Sequence, residues 1–102
     1  MTYEDSVYEW QQQLAAVGVN PALVELGRTR ELAGRSEFGD SYLNRDNIME
    51  SAEELADFLN YVFFKVLQRE AEGKDGRMDL ALIAAHKAQE AHEAAYHLEH
   101  AA

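Results

Sequence analysis

Apolar residues recur along this chain at three- and four-residue intervals with polar residues between them, a spacing that predicts helices throughout. No window alternates with period two over several residues, so no strand is expected. The dominant stretch, Phe38 to Gln68, combines a turn, a cap and one long helix. At about 100° per residue, Ile48, Ala52, Leu55, Leu59, Val62, Phe63 and Val66 fall on one side, a stripe suited to a core. Opposite it lie Glu50, Glu54, Asp57, Tyr61 and Gln68, with Phe64 beside them. A purely solvated face seldom carries Tyr and Phe among its acids. This helix is therefore expected to be contacted on both sides, by a core on one and by a ligand, metal or partner on the other.

Local signals mark the element boundaries. Asn47 followed by Glu50 has the form of a capping box, with Asp46 as a second acceptor, and Gly39-Asp40-Ser41 before it is turn chemistry. Gly73 and Gly76 end the helix, one of them as its left-handed terminal residue. Thr2-x-x-Asp5 opens a first helix carrying Val7, Trp10, Leu14 and Val17, which Gly18-Val19-Asn20 closes. Asn20-Pro21 opens a second, with Leu23, Leu26, Arg30 and Ala33 along one side. Gly27 and Gly34 weaken that helix, but small residues also let a neighbouring helix come close. Asp79 caps a last helix with Leu80, Ile83, Ala84, Ala88, Ala91, Ala95 and Leu98 in its core stripe. The expected fold is all-α: helices near 3–17, 21–35, 47–72 and 79–100 in an antiparallel bundle of about four helices, a single domain over 1–102.

Composition adds three constraints. A chain of 102 residues is marginal as a monomer if its helices are apolar on two sides, so a homo-oligomer is expected. The net charge of −10 disfavours nucleic-acid binding and suits divalent cations or a basic protein partner. Net charge alone also fits a DNA mimic. Without cysteine, a basic-plus-apolar leader or a run of about 20 apolar residues, the sequence points to a cytoplasmic protein that does not enter a membrane.

Two clusters invite chemistry. Arg28, Arg30 and Arg35 form the densest basic patch, expected mainly to pair with acids and alternatively to grip a phosphate or carboxylate bidentately. His86, Glu90, Glu93, His97 and His100 line one side of the last helix at metal-ligand spacing. On an alanine-rich helix such a stripe is expected to be a wet surface without a tight metal.

Glu53-Glu54-Leu55-Ala56-Asp57, followed by Phe58-Leu59-Asn60-Tyr61, resembles the E-x-x-D half of the MazG-like all-α nucleotide pyrophosphohydrolases, particularly short bacteriophage versions. The resemblance covers about residues 22 to 70. It implies Mg²⁺ held by Glu50, Glu54 and Asp57 with Glu25 assisting, Glu54 and Asp57 central to catalysis, and a nucleotide contacted by Asn60, Tyr61 and Arg28. The chemistry it implies is cleavage of a nucleoside triphosphate to monophosphate and pyrophosphate. In the family's first motif, E-E-L-G-E, this chain has Val24-Glu25-Leu26-Gly27-Arg28, so Glu25 is the one acid of that motif, and Glu31 or Glu50 would have to substitute for the others. The alternative is a catalytically inactive helical protein whose acidic face binds a host or partner protein.

Overall fold

The computed structural model describes residues 2–38 and 41–102, the side chains of residues 36–38 excepted. Among the described residues it is all-α, without strands. Helices α1 (Tyr3–Ala16), α2 (Pro21–Phe38), α3 (Asn47–Ala71) and α4 (Met78–Glu99) are joined by tight turns and one short 3₁₀ turn, Ser41–Asn44. They pair as two compact units, residues 1–45 with α1 against α2 and residues 46–102 with α3 against α4.

The first hairpin forms where its caps dictate. Thr2 accepts from the Asp5 N–H at 3.1 Å and the Thr2 N–H donates to the Asp5 carboxylate at 3.1 Å, the capping box expected there. These bonds hold the Asp5 carboxyl below its ordinary range. Gly18 (φ 86) ends α1: its N–H reaches the Ala15 carbonyl and that of Val19 the Leu14 carbonyl, so two terminal carbonyls are satisfied. Asn20 accepts from the Ala22 N–H at 2.8 Å and opens α2, with Pro21 as the first helical residue.

Within this unit Val7, Trp10 and Leu14 of α1 face Leu23, Val24, Gly27, Arg28 and Glu31 of α2 across a cleft of about 530 Å³. The packed side of α2 thus lies about one residue round from the expected Leu23, Leu26, Arg30 and Ala33. Its glycines are not required for approach either, because a Cβ on Gly27 or Gly34 would meet nothing within 4 Å. Contact across the hairpin is instead carried at one end by polar groups. The Tyr3 hydroxyl donates to Glu31 at 2.6 Å, Arg35 donates to Glu31 at 2.7 and 2.9 Å, and Arg35 reaches Glu4 at 3.4 Å. The Arg35 guanidinium also lies 5.0 Å above the Tyr3 ring, which stacks on Tyr42 at 5.1 Å.

The second hairpin is closed by aliphatic packing. Its two buried side chains are Val66 (3% exposed) and Ala88 (6%). Ile48, Ala52, Leu55 and Val62 are half-buried along the expected stripe, whereas Phe63 is largely open. On α4 the side towards α3 is Ala81, Ala85, Ala88 and His92, so Leu80, Ile83 and Leu98, expected in the core, stay exposed. Alanines admit close helix approach, and the longer side chains are displaced to the flanks.

The cap of α3 is Asp46, which accepts from the Met49 N–H at 3.0 Å, so the cap lies one residue before the expected Asn47. At the other end Gly73 (φ 76) is the left-handed residue. The Gly73 N–H bonds the Glu70 carbonyl and the Lys74 N–H that of Arg69. Arg69 Nε then donates to the Asp75 carbonyl at 2.8 Å, pulling the connection back on the helix. Gly76 is buried in that connection, and a Cβ there would lie 2.7 Å from Val66 Cγ1 and 2.6 Å from Glu70 Oε1. The start of α4 differs from expectation: Arg77, left-handed at φ 61, precedes Met78, while Asp79 lies inside the first turn and pairs with Arg77 at 3.0 Å. Asp75 supplies the local acceptor, taking the Arg77 N–H at 2.8 Å. The Gly39-Asp40 part of the expected turn lies outside the described residues.

Candidate functional site

Helix α3 presents the outer face expected of it. Glu54, Asp57, Asn60, Tyr61 and Phe64 are all exposed, Tyr61 to 70%, and Glu50 is half-buried. The Tyr61 and Phe64 rings meet edge to face with centroids 6.2 Å apart, since residues three apart on a helix are neighbours. Glu54 and Asp57 are neighbours by the same spacing. The result is an open aromatic pair beside carboxylates, chemically suited to contact a cation-bearing partner through both charge and ring faces.

The residues assigned from the first acidic motif sit in the other unit. Glu25 is not a free carboxylate: Arg28 grips it through Nε at 3.2 Å and Nη2 at 3.1 Å. That grip holds the Glu25 carboxyl below its ordinary range and pushes the Arg28 guanidinium up. Arg28 therefore pairs on its own helix. Glu31, the nearby acid that could have substituted, is engaged by Arg35 and Tyr3, which lower its pKa, while the Tyr3 hydroxyl is raised by its bond to Glu31. So the basic patch does pair with acids, through Arg28 within α2 and through Arg35 with both α2 and α1.

Oxygen donors of the α3 face suit a hard cation such as Mg²⁺. Among the described residues, however, no group of three or more His, Asp or Glu comes together closely enough to hold a metal ion. The stripe of His86, Glu90, Glu93, His97 and His100 is exposed as expected; Gln89 donates to Glu93, Lys87 pairs with Glu90, and His100 lies 4.3 Å from the Tyr96 ring. The histidine that the sequence pattern passed over is His92. It lies half-buried beside Ala52, Leu55, Ala56 and Leu59 of α3, and its seven-residue spacing from Ala85 was the signal that could have placed it there.

No described helix is long and apolar enough to cross a membrane. Compared with known proteins, the chain matches no family model, no curated protein and no solved structure.

Proposed function

We propose that this chain is a self-associating acidic binding protein whose outer α3 face, Glu54, Asp57, Tyr61 and Phe64, engages a basic protein partner. The observation that carries this reading is the open Tyr61–Phe64 pair set among carboxylates on a chain of net charge −10. Tyr is among the residues that dominate binding energy once buried at a protein interface, while acids steer the encounter.

The direct test is calorimetric titration with a synthetic amphipathic Lys/Arg-rich helical peptide at low and high salt. Binding is expected to weaken with salt, and Tyr61→Ala and Asp57→Asn should each lose about tenfold or more, roughly 1.4 kcal/mol. Equal affinity of wild type and both variants would overturn the proposal.

A second reading rests on Glu54 and Asp57 sharing one open side of α3 in the E-x-x-D arrangement. It makes the chain a Mg²⁺-dependent, MazG-like nucleotide pyrophosphohydrolase, with Glu25, Glu50, Glu54 and Asp57 as metal ligands and Asn60, Tyr61 and Arg28 on the nucleotide. Pyrophosphate release from a nucleoside triphosphate panel, abolished by Asp57→Asn, would establish it over binding alone. If that alignment holds, Arg28→Glu strengthens Mg²⁺ binding.

A further inference from the structure

The α3/α4 hairpin has two flanks, and they differ in charge. Counting about 100° per residue from the buried Val66, Met49, Ala56, Phe63 and Leu67 turn to one side of α3, and Phe58, Lys65 and Arg69 to the other. Counting likewise from Ala88, Met78, Leu82, Gln89 and Tyr96 turn to one side of α4, and Leu80 and Lys87 to the other. Two antiparallel right-handed helices place equal rotations on the same flank. The clefts agree: Ala56 and Leu59 share one with Ala85, Gln89 and His92, while Lys65 and Arg69 share the other with Arg77 and Leu80.

On the first flank both helices carry a second seam beside the one that closes the hairpin. Met49, Ala52, Ala56, Leu59, Phe63 and Val66 recur at alternating three- and four-residue steps, as do Met78, Leu82, Ala85, Gln89, His92 and Tyr96. A helix with two adjacent seams is built to pack against two neighbours, as in a four-helix bundle. None of these twelve positions holds Asp, Glu, Lys or Arg, and the next step of each seam, Glu70 on α3 and Glu99 on α4, puts the acids at its ends. On a chain of net charge −10 this matters, because a second copy can approach the middle of such a flank without bringing acids together.

Area decides whether the flank is large enough. Met49, Leu59, Phe63, Leu67, Met78, Leu82 and Tyr96 are each about half open. Aromatic side chains bury roughly 150–250 Å² when fully covered and Leu and Met somewhat less, so full coverage of these seven supplies at most roughly 700 Å² per copy, approaching the roughly 800 Å² per partner of a stable interface.

We infer that this uncharged flank of the α3/α4 hairpin is the interface with a second copy of the chain, two hairpins packing across a two-fold axis into four helices. The inference rests on the self-association in the proposed function and names its surface. It leaves Glu54, Asp57 and Tyr61 outside the interface, since they turn more than about 100° from Phe63 round α3, while Phe64 borders it, its ring 6.4 Å from that of Phe63.

Control positions make the test sharp. Leu82 and Ile83 are 57% and 54% exposed and turn to different sides of α4; on α3 the control for Phe63 is Tyr61, 70% exposed and turned away from it, because the Phe64 ring lies 6.4 Å from that of Phe63. In sedimentation equilibrium at micromolar concentration, wild type is expected to be a dimer, Phe63→Glu and Leu82→Glu monomers, and Tyr61→Glu and Ile83→Glu dimers. A wild-type monomer would overturn self-association itself. A dimer that survives Phe63→Glu and Leu82→Glu, or is equally broken by Tyr61→Glu and Ile83→Glu, would overturn the flank alone. Should a glutamate variant lose its helical circular dichroism, cysteine placement in this cysteine-free chain gives the same answer. A bis-maleimide reagent should then link Gln89→Cys and not Lys87→Cys, and the reverse pattern would overturn the inference.

Discussion

The two hairpins solve one problem, holding two antiparallel helices together, with different chemistry. The α1/α2 pair is pinned at one end by Tyr3, Glu31, Arg35 and Glu4, with Tyr42 stacked on Tyr3. The α3/α4 pair is closed by Val66 and Ala88 and a connection folded tightly over Val66 through Gly76. A polar clasp depends on protonation and salt, whereas an aliphatic seam depends on volume. Substitutions of similar size should therefore act very differently in the two halves.

The largest contrast is expected in the second hairpin. Val66→Ala removes two buried methyl groups and should cost about 2–3 kcal/mol from transfer and cavity together. Gly76→Ala should cost about 1–3 kcal/mol by overpacking against Val66. Glu70 Oε1, the nearest atom, ends a flexible side chain that can swing aside, and Val66→Ala deletes Val66 Cγ1, so the double variant should lose less than the sum. Amide exchange resolved by segment measures this, and protection should fall in α3 and α4. A fully additive double variant would show that Gly76 does not press on Val66.

The next effect belongs to the first hairpin. Glu31→Gln keeps the shape and removes the charge that Arg35 and Tyr3 hold, at a cost of about 1 kcal/mol given that Glu31 is partly open to water. The Glu31 carboxyl has a folded pKa below its unfolded one, so its stabilisation is present above the unfolded value and is lost as pH falls through the folded value. The Tyr3 hydroxyl is shifted upward, so its stabilisation is present below the unfolded pKa near 10 and is lost as pH rises through the raised folded value. Exchange protection in α1 and α2 should thus decline at both pH extremes, and Glu31→Gln should flatten the acid limb. An acid limb unchanged by that substitution would show that the clasp contributes little.

The smallest effect has the opposite sign. Gly27→Ala and Gly34→Ala place a methyl in open space within α2 and should each stabilise by about 0.5–1 kcal/mol through helix propensity. Thermal unfolding followed by circular dichroism should show a rise in the midpoint, against the fall produced by the same chemical change at Gly76. A fall at Gly27 would mean that α2 is approached there by another surface.

The sequence alone determined the number and class of elements, because helix periodicity, the Thr2-x-x-Asp5 box, Asn20-Pro21 and the terminal Gly18 and Gly73 act within a few residues of chain. It also determined that α3 has an acidic and aromatic face, since a helix fixes which side chains share a side. Tertiary structure decided which flank of each helix is used. Ala81, Ala85 and Ala88 rather than Ile83 and Leu98 face α3, with Leu80 at the rim, because small side chains permit the closer approach. The pairs Glu25–Arg28 and Glu31–Arg35 are local to α2 at three- and four-residue spacing, whereas the Tyr3 bond to Glu31 and the Arg35–Glu4 pair needed α1 packed on α2. Periodicity reports the faces of a helix, whereas the partner on each face is set by packing volume and by charges that only the folded chain brings within reach.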